Sequence, residues 1–101
     1  MAVVKLTIKR ADNEIAAFLN GVLVYDRKTE NDPQLNDVVD ISGFIQKGCC
    51  NSLVLVGINW GGPAHFEGSL SVDNSVTSWA VQLPSTPNGM VFDRSFSIPG
   101  V

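Results

Sequence analysis

Trp60, a single histidine and a scatter of carboxylates, carboxamides and arginines are the side chains here that could hold or transform a ligand. Trp60 follows an apolar run and directly precedes Gly61-Gly62, which places a large flat indole at the rim of a turn. An indole there can stack on the apolar face of a sugar ring, cap the end of a core, or serve a protein interface. Around it, Asp12, Asn13, Asn59, His65 and Arg94 carry donors and acceptors that suit hydroxyl groups. Each also has a plainer role open to it. Asp12, Asn13 and Glu14 are the residue types that bond nearby backbone in turns. Arg94 can fork onto vicinal hydroxyls or pair with a carboxylate such as Asp12 or Glu14. Trp79 stands beside Val81 in an alternating stretch and is expected in the core.

Catalysis is not expected. A general base needs a positioned nucleophile and a site for the developing charge. His65 lies next to Glu67, but no nucleophile elbow or phosphate-cradling glycine loop accompanies it. A glycosidase built on two carboxylates needs a deep cleft, which 101 residues rarely enclose. Metal chemistry is equally thin. One histidine and the adjacent Cys49 and Cys50 cannot be spaced as a zinc site. Glu30, Asn31, Asp32, Asn36, Asp37 and Asp40 offer the oxygen ligands calcium prefers, but without the spacing of a twelve-residue calcium loop. A solvated acidic loop is the simpler reading, and no cofactor is expected.

Bulk properties narrow the partners. A net charge of −3 gives no positive field for phosphates, so nucleic acid is not an expected partner. No apolar run reaches the roughly 18–20 residues needed to cross a bilayer. A bond between neighbouring cysteines strains the intervening peptide, so two free thiols in a reducing compartment are expected. The first ten residues alternate instead of showing a leader's charged-then-apolar layout. The expectation is a cytoplasmic chain, with export by a non-classical route left open.

The elements that must position these residues are strands. A hydrophobic share of 45% against 17% charged fits one packed domain spanning residues 1–101. Period-two alternation recurs, and no segment keeps helical periodicity for three turns. Val4, Leu6 and Ile8 face one way in a first strand. Residues 14–19 and 22–25 flank Asn20-Gly21, a pair that tolerates the positive φ angles of a type I′ hairpin turn. Residues 26–37 read as a long polar loop, and residues 38–48 as a short strand with one helical turn ending at Gly48. Residues 52–58 are nearly continuous apolar sequence, as in a strand covered on both faces. Residues 64–72 alternate, with Ala64, Phe66, Gly68, Leu70 and Val72 inward. Residues 76–83 and 90–98 complete the set, separated by a turn-rich segment; Met90, Phe92, Arg94, Phe96 and Ile98 share a face. Seven or eight short strands are expected, arranged as an antiparallel β-sandwich or jelly roll.

Several of these segments together resemble the galactose-binding-like β-sandwich superfamily. They are Ala11-Asp12-Asn13-Glu14, Phe18-Leu19-Asn20-Gly21, Val39-Asp40-Ile41-Ser42-Gly43-Phe44-Ile45 with Gly48 and Asn51, and Gly61-Gly62-Pro63-Ala64-His65-Phe66. The likeness covers about residues 11–72 and departs at Cys49-Cys50, where one residue usually stands. Most of these motifs have structural reasons: Asn20-Gly21 turns the chain, Asp40 and Ser42 cap a helical turn, and Asn51 satisfies loop carbonyls. Members of the superfamily include carbohydrate-binding modules, lectins and glycosidase accessory domains, while others bind lipid headgroups or proteins. The resemblance therefore implies a lectin-like, non-catalytic chain that holds a saccharide with Asp12, Asn13, Asn59, Trp60, His65 and Arg94. Sugar affinity at one site is weak, so a homo-oligomer joined through edge strands is expected for avidity. The alternative is a structural or protein-interaction subunit, with Trp60 and residues 88–101 as interface; an excised accessory domain is a third reading.

Overall fold

The computed structural model describes residues 3–29 and 34–100. Alternating sequence forms β1 (Val4–Arg10) and β2 (Glu14–Leu19), followed by β3 (Val22–Lys28) and β4 (Gln34–Asp40). A 3₁₀ turn, Ser42–Phe44, leads to two much longer strands, β5 (Cys50–Val72) and β6 (Ser75–Pro99). All pairings are antiparallel, and the sheet curls into a half-barrel. The order is β3-β2-β5-β1-β4, with β6 along the other side of β5.

That order describes one sheet folded in half. The first part of β5 pairs with β2 and the last part with β1, while β6 follows β5 along its whole length. One half of the sheet is therefore β3, β2 and the early part of β5; the other is β4, β1 and the late part. They are called the β2 half and the β1 half below. The fold line crosses β5 at Gly61 and Gly62, whose φ angles of 99° and 78° bend the strand where a side chain would resist. The expected count of seven or eight short strands is thus corrected to six among the described residues. Residues 52–58 and 64–72 are one bent strand, as are 76–83 and 90–98.

The inner faces of the halves meet in the core. Val4, Leu6 and Ile8 of β1 and Phe66 and Leu70 of β5 come from the β1 half; Ile15, Ala17 and Leu19 of β2 and Leu53 and Leu55 of β5 come from the β2 half. Phe66 stacks on Phe92 of β6 with ring centroids 5.3 Å apart, and Trp79 on the same Phe92 at 5.8 Å. A Cβ at Gly57 would lie 2.7 Å from the Phe66 ring, so the glycine makes room for it. Full burial of each large side chain contributes about 1.5–3 kcal/mol. Trp79 is buried, as expected of a core residue.

The Asn20-Gly21 hairpin forms with φ angles of 51° and 81°, as a type I′ turn requires. Opposite the fold line, residues 41–49 close the open end. Asn51, 1% exposed, is the hub of that closure. Its Nδ2 donates to the carbonyls of Gln46, Cys49 and Ile98, and its Oδ1 accepts from Gln46 N and Asn20 Nδ2. The Ser42 hydroxyl, and then Ser42 N donating to Asp40 Oδ1 at 2.9 Å, hold the Asp40 carboxyl below its ordinary range.

Three further expectations are corrected. The loop proposed for residues 26–37 is shorter, because β3 runs to Lys28 and β4 begins at Gln34. Both are edge strands; β3 does not alternate, while β4 alternates half-buried Leu35, Asp37 and Val39 with exposed neighbours, a pattern that the polar Asp37 hides in the sequence. Residues 52–58 are not covered on both faces: Leu53 and Leu55 face the core, while Val54, Val56 and Ile58 look outward, half-buried. Met90 leaves the face shared by Phe92 and Ile98, because Val91 is an extra residue between the Gly57–Phe92 and Ile58–Met90 pairs. That bulge turns Met90 outward, 64% exposed.

Candidate functional site at the fold line

The residues singled out in the sequence converge partly on the fold line. Asp12 lies between β1 and β2, and His65 just past the bend in β5; together they line an open cleft of about 400 Å³ with Pro63, Ala64, Gln82, Leu83 and Pro84. Leu83, Ala64 and the two prolines supply its apolar wall. Asp12, His65 and Gln82 supply its polar groups.

His65 is tightly held. Its Nδ1 lies 2.8 Å from Arg10 Nη1 and 3.2 Å from Gln82 Nε2, two donors that make Nδ1 the acceptor. The remaining ring proton then sits on Nε2, which is 3.3 Å from Glu67 Oε1. Register explains the cluster: His65 faces Gln82 across β5–β6, and Arg10 faces Glu67 across β1–β5. Among the described residues no hydroxyl or thiol is hydrogen-bonded to His65. The geometry offers an orientated polar rim, suited to meeting hydroxyls, with no nucleophile aligned to the imidazole.

The other expected residues lie elsewhere. Trp60, on the opposite side of the bend, is 59% exposed. Its backbone N–H donates to Asn13 Oδ1 at 2.9 Å, so Asn13 serves turn chemistry by tying the β1–β2 connection to β5. Asn59 is 1% exposed and faces inward. Its Nδ2 lies 2.7–3.3 Å from Thr86 Oγ1 and the carbonyls of Gly61, Gly62 and Pro63. The expectation that Asn59 meets a ligand is corrected: its amide holds the bend. Arg94 is in the β2 half, cross-strand from Leu55, with its guanidinium 5.4 Å from the centre of the Phe96 ring. It shares the inner face with Phe92 and Ile98 but emerges at the open edge of β6. The expected ion pair with Asp12 or Glu14 is absent among the described residues.

Sequence reasoning passed over Arg10, Gln82, Leu83 and Pro84. The signal available was parity: Gln82 lies on the outward set of residues 76–83, as His65 does in residues 64–72. Of the proposed calcium ligands, Glu30, Asn31 and Asp32 lie outside the described residues, while Asn36, Asp37 and Asp40 are in β4. Asp37 accepts from the Tyr25 hydroxyl at 2.6 Å and pairs with Arg27 at 3.4 Å, linking the edge of one half to the edge of the other. Burial and that carboxylate push the Tyr25 hydroxyl well above its ordinary range. No group of three or more His, Cys, Asp or Glu side chains comes together among the described residues. Cys49 and Cys50 are free and exposed. No helix of the described residues is long and apolar enough to cross a membrane.

Compared with known proteins, the chain matches no family model, no curated protein and no solved structure.

Proposed function

We propose that this chain is a non-catalytic binding module that holds a saccharide at its fold line, a reduced member of the galactose-binding-like sandwich type. The observation that carries this reading is Trp60: a largely exposed indole on a backbone fixed by Asn13, across the bend from a cleft with Asp12, His65 and Gln82 on its rim. An exposed indole on an anchored backbone offers a flat apolar face on which a sugar ring can stack, and carboxylate, imidazole and amide groups can trade water for hydroxyls. Glycan-array screening followed by calorimetry tests the reading. Saturable binding to a glycan is expected, with Trp60→Ala weakening it about tenfold, equivalent to roughly 1.4 kcal/mol of lost stacking. The same titration with a chelator present is expected to be unchanged. A failure of every glycan to bind would sink the proposal.

A second reading, a subunit docked on a larger assembly, is favoured by a different surface. The outer face of the β2 half carries Ala16, Phe18, Val54, Val56 and Ile58, flanked by exposed Met90 and Trp60. Every described strand belongs to the one sheet and residues 41–49 close its end, so no described element lies over this face. Contiguous apolar surface of this kind marks interaction sites. A stoichiometric partner lost on Val56→Lys, with no glycan bound, would replace the first reading.

A further inference from the structure

The sheet ends at two edges of opposite character. Along β3 and β4 stand Asp26, Arg27, Lys28, Asp37 and Asp40, so that edge meets any approaching strand with charge. The opposite edge belongs to β6, which among the described residues pairs only with β5. Its residues 75–83, Ser-Val-Thr-Ser-Trp-Ala-Val-Gln-Leu, contain no charge, no glycine and no proline. Natural sheets blunt their edges with charge, proline or bulges, because a free row of N–H and C=O groups recruits another strand. This stretch has none of those devices inside it. They appear at its ends, with Asp73 in the turn before it and Pro84, which has no N–H, directly after it.

We propose that residues 75–83 form a self-recognition edge, through which two copies of this chain join by antiparallel pairing of this stretch with itself about a two-fold axis. Symmetry selects the partner. Each copy has one neutral edge, so β6 against β6 closes at two molecules, whereas β6 against the charged β3–β4 edge would repeat without closing. A chain of net charge −3 repels its own copies, and an uncharged stretch is where two can approach without like charges meeting. Overlap is longest with the axis at Trp79. Ser78 then faces Ala80 of the second copy, and Val76, 63% exposed, faces Gln82. These are small or neutral side chains that tolerate close cross-strand contact. The paired β1 halves would make one sheet in the order β4-β1-β5-β6-β6-β5-β1-β4. This inference stands whether or not a saccharide binds.

Sedimentation equilibrium of the full chain tests it. The expected result is a dimer, with amides of residues 75–83 gaining protection from hydrogen exchange as concentration rises. Ser78→Lys with Ala80→Lys, and separately Ser78→Asp with Ala80→Asp, should each abolish the dimer while leaving the β-sheet spectrum unchanged. Mixing the two variants should restore dimers, since each repels itself and attracts the other. Val56→Lys, on the outer face of the other half, should leave the dimer intact. A wild-type chain that stays monomeric without concentration-dependent protection overturns the proposal. So do a dimer that survives both double variants and one that Val56→Lys dissociates. Should one double variant fail to fold, the other and the wild-type exchange profile still decide.

Discussion

The two halves of the folded sheet present outer faces of different kinds, although β5 and β6 run through both. On β1 and β5 of the β1 half the outward side chains are Lys5, Thr7, His65, Glu67, Ser69 and Ser71, a largely polar face with exposed Val38 and Val76 on the flanking strands. On β2 and β5 of the β2 half they are Ala16, Phe18, Val54, Val56 and Ile58, an apolar patch bordered by Asp93 and Ser95 of β6 and by Glu14 and Asp26, which share a hydrogen bond. The inner faces do not differ in this way; both are apolar and both are buried. Burial of the inner face specifies the fold in either half, so the difference outside concerns what each half meets in solution.

The largest expected effects test the sameness of the inner faces. Phe66→Ala in the β1 half is expected to cost about 3–5 kcal/mol, and Leu55→Ala in the β2 half about 2–5 kcal/mol. Urea unfolding measures both, and a negligible cost for either would show that one half is not truly packed. Asn59→Ala strikes the line between the halves. It strips a donor from Thr86 Oγ1 and three carbonyls, with an expected loss of about 2 kcal/mol in the same assay. Smaller effects come from the outer faces. Val56→Ser should cost about 1 kcal/mol and lower the binding of an environment-sensitive apolar dye, whereas Ser69→Val should raise dye binding with stability changed by under about 0.5 kcal/mol. Equal dye responses at the two positions would erase the contrast.

The smallest effect is in pH dependence. The hydrogen bond with Asp26, then burial, then the charge of Asp26 hold the Glu14 carboxyl above its ordinary value of 4.5. The folded chain therefore keeps a proton that the unfolded chain has released. The stability this contributes is present at low pH and falls as pH rises from 4.5 through the raised value. Glu14→Gln is expected to flatten the stability profile across that window. A fall that persists unchanged in the variant would assign it to another group.

How much of this was legible in the sequence follows from which faces are buried. Ala64 to Leu70 could be read because one side of that strand is dry and the other wet, and Asn20-Gly21 because few residue pairs accept two positive φ angles. The edges were harder. Burial does not alternate along β3, and along β4 it alternates only between exposed and half-buried positions, one of them the polar Asp37, so both strands look like loop. Pro84, Pro87 and Gly89 suggested a break, yet β6 continues through them, since an edge strand can place a proline where no ladder bond is needed. Of the candidate site, the nearness of Asp12 to His65 and the exposure of Trp60 were within reach. The inward turn of Asn59 was not, because it depends on where β5 bends.

That bend has a consequence for how the molecule comes apart. Strands β5 and β6 belong to both halves, so neither half can lose its pairing without fraying the strands that complete the other. The chain has no internal seam along which a stable piece could detach. Its unfolding should accordingly be a single cooperative event, with backbone amides on either side of Gly61-Gly62 opening at a common free energy.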